Sequence, residues 1–175
     1  GENLDNFKNE IIQLFIVNYY QIDMNNVISL PKQSHKTKKK TKSVKVLFTG
    51  NNNSGKLELF EFLNKGTVTS GCNLNTFNKV KKSVSHHGKK IDMFLFSTPG
   101  DEKCSQIRIL SYPQSNIILM VFSLINKRSL NVLFNTYLKE ANEYSPESVV
   151  VLVGVDKEKW KDEKYKENAV KKEEL

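Results

Sequence analysis

Cysteine and proline are scarce in this chain of 175 residues, which has two of the first and four of the second. Cys72 and Cys104 stand far apart with no pattern of partners, which argues against a disulfide framework and for a reducing compartment. Histidine is limited to three. The adjacent pair His86 and His87 has no third ligand candidate nearby in sequence, so no metal site is expected there. Long apolar runs are missing too: the longest, around Ile117 to Phe122, is bounded by Asn116 and by Asn126-Lys127-Arg128, far short of the roughly 20 residues that cross a bilayer. No secretory leader pattern is recognised. The expected location is the cytoplasm, and the length suits one domain with a sizeable core.

Acidic residues are absent from one stretch, where Lys32, Lys36, Lys38, Lys39, Lys40, Lys42 and Lys45 fall together. This stretch accounts for most of the net charge of +8. It reads as a solvated linker or as a site for acidic membrane lipid, at about 1 kcal/mol per lysine near the surface. Nucleic acid is not an expected partner, because no aromatic side chains are interleaved for base stacking.

Residues 4 to 20 carry Leu4, Phe7, Ile11, Leu14 and Phe15 at helical spacing, capped by Asn3 or Asp5. This predicts an N-terminal amphipathic helix within residues 1–30, followed by the basic linker at 31–43. From Val44 the pattern changes to strands and helices in alternation: strand Val44 to Thr49, helix Lys56 to Asn64, a polar loop at 65–76, then a hairpin of Phe77 to His87 and Ile91 to Ser97. A polar helical segment ends near Arg108, Asn116 to Ser123 is a buried strand, Ser129 to Tyr144 an amphipathic helix and Val149 to Gly154 another buried strand. Lysine and glutamate at close spacing predict an exposed helix over 161–175. The expected fold class is α/β, a mostly parallel sheet with helices on both faces.

The most informative residues are Gly50, Asn51, Asn52, Asn53, Ser54, Gly55, Lys56 and Leu57, which follow the first strand directly. Two glycines with four residues between them and then lysine are the spacing of a phosphate-binding loop, whose backbone N–H groups and lysine cradle phosphates. The next position ordinarily carries a Ser or Thr hydroxyl for Mg²⁺. Leu57 has no oxygen to offer.

Together with Thr98-Pro99-Gly100-Asp101-Glu102, Leu110-Ser111-Tyr112-Pro113-Gln114 and Phe122-Ser123-Leu124, this loop makes the chain resemble a small GTPase of the Rho/Rac family, without a gap from about Val44 to Trp160. The resemblance implies a Ras-like P-loop G domain over 44–175, with GTP or GDP as ligand. It also implies that the chain ends before the family's last strand and helix, so it is expected to be a piece of a longer one.

Carried over position by position, the family's chemistry is largely lost. Leu57 replaces the loop threonine and Ser97 the aspartate that holds Mg²⁺ through water, so magnesium is not expected and nucleotide is expected to bind weakly. Asp101 replaces the glutamine that orients the attacking water, and its carboxylate would repel a γ-phosphate. The first-switch threonine falls at Asn75, with Thr76 one residue late. Val155-Asp156-Lys157-Glu158 aligns with the base-reading motif, which leaves Glu158 as the base-reading candidate. Asn52 replaces a family glycine and puts an amide where phosphate normally sits. The resemblance gives no catalytic residue. It implies a pseudo-GTPase or, alternatively, a divergent active switch, and protein effectors or regulators that meet the switch residues Asn75, Thr76, Asp101, Glu102 and Cys104. A scaffold bound to membrane through the basic stretch is a third reading.

Overall fold

The computed structural model describes residues 43–65, 77–86, 89–171 and 174, with the backbone alone described at 85, 86, 89, 90, 157 and 158. The expected N-terminal helix, most of the basic stretch, Cys72, Asn75 and Thr76 lie outside the described residues.

A five-stranded sheet in the order β2-β3-β1-β4-β5 organises the domain, with β1 at Ser43–Thr49, β2 at Asn78–His86, β3 at Lys89–Ser97, β4 at Ile117–Ser123 and β5 at Val149–Val155. β2 and β3 form an antiparallel hairpin in which His86 pairs with Lys89, while β3, β1, β4 and β5 run parallel. Strand β4 is buried along its whole length. That follows from its central place and its unbroken apolar sequence, since a strand covered on both faces needs no polar alternation.

Two apolar layers flank the sheet. Val44, Val46 and Phe48 of β1 face α1 (Lys56–Lys65) and pack with Leu59 and Phe60, Phe48 meeting Phe60 edge-on at 5.5 Å. On the other face Leu47, Ile118 and Met120 pack with Tyr112, Leu130, Leu133 and Tyr137. That layer is built by α2 (Ser105–Ser111), entered through a 3₁₀ turn at Glu102–Cys104, and by a continuous helical run. The run comprises α3 (Lys127–Val132), a wide π turn at Leu133–Tyr137 and α4 (Leu138–Tyr144). In the wide turn the Leu138 N–H donates to the Leu133 carbonyl, one residue further back than an α-helix allows.

The segment after β5 departs from the exposed helix expected over 161–175. It forms a single turn, α5 (Lys157–Trp160), then a 3₁₀ turn at Glu163–Tyr165 capped by Asp162, and returns to the domain. Val170, 1% exposed, enters the second apolar layer; its N–H donates to the Leu124 carbonyl and its carbonyl accepts from Trp160 Nε1. Lysine–glutamate spacing supplies only a few tenths of a kcal/mol per pair. Without an apolar stripe a helix there has nothing to pack, and burial of Val170 decides the path.

Lys45 also differs from its assignment to the lipid-binding run. It stands in β1 with its ammonium donating to the carbonyls of Ser111 and Pro113 at 2.6 and 2.7 Å, closing the C-terminal end of α2. A cation satisfying the last carbonyls of a helix is a structural use of the charge.

Candidate phosphate-binding site

The loop between β1 and α1 turns through three left-handed or glycine-only conformations, at Gly50 (φ 151°), Asn53 (φ 60°) and Gly55 (φ 79°). At Gly50 a β-carbon would lie 2.3 Å from the Val121 carbonyl oxygen, so β4 presses on the loop backbone directly. Asparagine at 53 suits its position because its short amide tolerates the left-handed region. The chain then enters α1 at Lys56, where the Leu59 N–H donates to the Gly55 carbonyl.

Lys56 is 3% exposed, and among the described residues no carboxylate lies within ion-pair distance of it. Burial pulls its ammonium down to about 8, opposed by Glu58 and reinforced by the charge of Arg108. The loop also buries three oxygens that have no hydrogen-bond partner: Asn51 Oδ1, Asn52 Oδ1 and Ser54 Oγ. Each such orphan costs about 1–3 kcal/mol. Ser54 Oγ lies 2.9 Å from where a Gly50 β-carbon would stand, a point that is itself 2.3 Å from the Val121 carbonyl oxygen, so the hydroxyl is on the β4 side of the loop. Asn52 Oδ1 lies against Gly100, 2.7 Å from the corresponding point there.

On the side where a metal would approach, Leu57 is 5% exposed and belongs to the apolar layer beneath α1. Ser97 is buried at the end of β3, and the Thr98 hydroxyl donates to the Phe48 carbonyl at 3.2 Å. Neither position supplies an anionic oxygen, and among the described residues no cluster of His, Cys, Asp and Glu is arranged for a metal.

The base side has changed as well. Val155 is 2% exposed, and its Cγ2 lies 2.6 Å from where a Gly55 β-carbon would be, giving the loop an apolar neighbour. Asp156, at φ 66°, accepts from the Ser123 hydroxyl at 2.6 Å through Oδ2 and pairs with Lys159 at 3.0 Å through Oδ1. Both of its oxygens therefore have protein partners. Glu158 falls in α5, with its side chain outside the described atoms.

The segment beyond Gly100 is fastened to the helical run. Arg108 donates from Nε and NH2 to the two oxygens of Glu140, each at 2.7 Å, in a fork with the arginine side chain 3% and the glutamate 13% exposed. Its guanidinium sits 4.8 Å from the Tyr137 ring centroid, and NH1 reaches the Asp101 carbonyl at 3.4 Å. Tyr137 donates to the Gly100 carbonyl at 3.3 Å and Tyr112 to Glu140 at 3.0 Å. Burial pushes the Tyr137 phenol up to about 12 and the Tyr112 phenol up as well, so both stay protonated donors. Asp101 turns its Oδ1 back to the Lys103 N–H at 2.9 Å, capping the 3₁₀ turn. Glu102 is exposed and Cys104 is a half-buried free thiol.

Arg108, Glu140 and Tyr137 were not singled out from the sequence. The available signal was the carboxylate of Glu140 beside the apolar stripe of Leu133, Tyr137 and Ala141; a local pattern gives no reason to match it with an arginine 32 residues earlier.

The comparisons agree with this architecture. A family model described as the Ras family matches residues 45–174. The GTP-binding protein rho4 of Schizosaccharomyces pombe is 30% identical over 69% of this chain and 60% of its own length. The human Rho-related GTP-binding protein RhoD is 24% identical over 69% of this chain and 58% of its own. RHO2 of Saccharomyces cerevisiae, also a GTP-binding protein, is 29% identical over 71% and 65% respectively. The chain thus spans about 60% of the length of the relatives it matches. A phosphate-loop glycine and lysine pair after β1, a five-stranded Ras-like sheet and these matches together establish that the chain belongs to the Ras family of small GTPases, as a divergent Rho-like member.

Proposed function

We propose that this protein is a Rho-like pseudo-GTPase, a G domain kept as a partner-binding module and without useful GTP hydrolysis. The observation that carries the reading is Leu57, whose side chain belongs to the apolar layer under α1 at the position where the family places a metal-binding hydroxyl. Magnesium requires near-octahedral oxygen ligation, and an isobutyl group beside a neutral buried Ser97 does not fit it. Hydrolysis also needs a group to orient water, and Asp101 spends its carboxylate on the turn that follows it.

The Arg108–Glu140 fork supports a second switch held in one conformation, with the Gly100 and Asp101 carbonyls gripped from behind. Held this way, α2 presents Ile107 and Leu110, 49% and 79% exposed, as fixed contacts for an effector or regulator. Phe77 and Phe96 stand nearby with Lys45 and Lys79 over the Phe96 ring. We place the protein in the cytoplasm, with acidic lipid as a further partner of the lysines at 32–42.

The test is single-turnover GTP hydrolysis in excess Mg²⁺. The expected result is phosphate release no faster than in buffer, and release that Lys56→Ala abolishes would overturn the reading. The buried, unpaired Lys56 favours one second reading, a divergent active switch that binds nucleotide as its relatives' names state for them. That same release is its signature.

A further inference from the structure

We infer that the face carrying Phe77, Phe96, Ile107, Leu110 and Lys79 docks on acidic phospholipid, so that the folded domain itself, and not only the lysine run before it, meets the membrane. The inference deepens the lipid partner proposed above and rests on the fixed second switch of that reading, without which α2 would offer no set surface.

Three of the four large apolar side chains exposed among the described residues stand on this face: Phe77, Ile107 and Leu110, the last 79% exposed. Ile107 and Leu110 are three residues apart on α2 and so share one side of it. Phe77 packs on Phe96 with ring centroids 5.8 Å apart. Lys45 joins the two groups, its ammonium 5.1 Å from the Phe96 centroid and donating at 2.6 Å to the carbonyl of Ser111, the residue after Leu110. The patch is therefore contiguous.

Its free charge is of one sign. Lys79 is exposed and reaches the Phe96 ring at 5.3 Å, and among the described residues no carboxylate lies within ion-pair distance of it or of Lys45. Burial first and then the charge of Lys79 hold the Lys45 ammonium below its ordinary value. Lys81 is neutralised by Asp92 at 2.8 Å and contributes nothing to this excess. Apolar side chains beside an unpaired ammonium suit the headgroup boundary, where the chains enter the acyl edge and the ammonium stays among the phosphates.

The chain that enters β1 selects a membrane over a protein as the occupant. Residues 32–42 hold six lysines and no acid, and Lys42 is three residues from Lys45, at most about 10 Å of extended chain. A run of lysines is attracted to an anionic surface without needing a matched groove. Attraction of that kind anchors stably only when a second signal inserts apolar groups. Leu110 and the aromatic pair supply it.

The experiment is co-sedimentation of the full chain, without nucleotide, with vesicles of phosphatidylcholine alone and with phosphatidylserine added. The expected result is binding that requires phosphatidylserine and is weakened about tenfold by Lys79→Glu and by Leu110→Gln. Lys161→Glu makes the same charge change on an exposed residue beyond β5, at the opposite edge of the sheet from β2, and should hardly matter. Leu110→Trp should add an emission that brominated acyl chains quench. All four substitutions are at exposed positions, and circular dichroism checks that each variant is folded. Equal losses from Lys79→Glu and Lys161→Glu would overturn the inference in favour of diffuse attraction. Full binding by Leu110→Gln with no quenching would overturn it in favour of the lysine run alone, and no binding to either vesicle would overturn it in favour of an acidic protein partner. None of these outcomes involves GTP, so they are separable from failure of the pseudo-GTPase reading, which phosphate release decides.

Discussion

The loop at 50–57 and the latch at 100–140 are neighbours with opposite polar economies. In the loop, the oxygens of Asn51, Asn52 and Ser54 are buried without partners, and the buried Lys56 has no carboxylate within ion-pair distance among the described residues. In the latch, Arg108 and Glu140 are similarly withdrawn from water, yet their fork is complete and two tyrosine hydroxyls and the Gly100 and Asp101 carbonyls are tied into the same network. A satisfied buried network fixes one conformation. An unsatisfied one stores a cost that a ligand can relieve, which is why the loop is a candidate site and the latch a support.

The contrast is sharpest where one partner of the latch is removed. Glu140→Ala leaves a buried guanidinium uncompensated and should destabilise the domain by about 3–5 kcal/mol, read from urea unfolding. Arg108→Met with Glu140→Leu should recover most of that loss, because an apolar pair of similar volume has no charge to desolvate. If the single and double variants are equally unstable, the fork is not the element that holds the second switch.

Next in size is Leu57→Thr with Ser97→Asp, which removes apolar contacts and should cost about 2–4 kcal/mol in the absence of ligand. The same double substitution should create Mg²⁺-dependent nucleotide affinity, measured by calorimetry with GDP. Unchanged affinity would locate the main defect in the base side, at Val155 and Asp156.

Lys56→Met should act in the opposite direction, raising stability by about 1–3 kcal/mol at neutral pH while ending anion binding. Between about pH 8 and 10.5 the unfolded chain holds a proton on this lysine that the folded chain has released. Wild-type stability therefore rises with pH across that window, and the cost of the buried charge is complete below pH 8. The advantage of the methionine variant should be largest below pH 8 and gone above 10.5, as thermal melts across that range would show. Oligophosphate affinity of the wild type should correspondingly fall as pH passes 8.

The smallest effect is expected at Asn52. Removing the buried, unpartnered Oδ1 of Asn52 by Asn52→Ala should be neutral or stabilising by about 1 kcal/mol, whereas a loss of stability above that would mean that this oxygen has a partner in solution.

How much of this was legible in the sequence differs between the two regions for one reason. Gly50, Gly55, Lys56 and Leu57 fall within eight consecutive residues, so their spacing after β1 announced both the loop and its missing hydroxyl. The strands of the sheet were legible from apolar runs such as Ile117 to Phe122, and the fold class from their alternation with helices and from the family resemblance, whereas the strand order came from the structure. The latch joins positions 32 residues apart, and the bond between Ser123 and Asp156 joins positions 33 apart. Periodicity speaks of neighbours along the chain and is silent about such pairs. The path after β5 was misread because lysine and glutamate spacing outweighed Val170, a single apolar residue whose burial is a tertiary event.

The sequence by itself determined a Rho-like G domain, a phosphate loop with glycine where the backbone must turn and no oxygen at 57, because these depend on residue type at fixed local spacing. Only the tertiary structure decided that Arg108 is neutralised by Glu140, that Asp156 is occupied by Ser123 and Lys159, and that Lys56 has no ion-pair partner among the described residues. Each of those outcomes depends on which side chains the sheet and the helical run bring within hydrogen-bond distance, and on how little water is left between them.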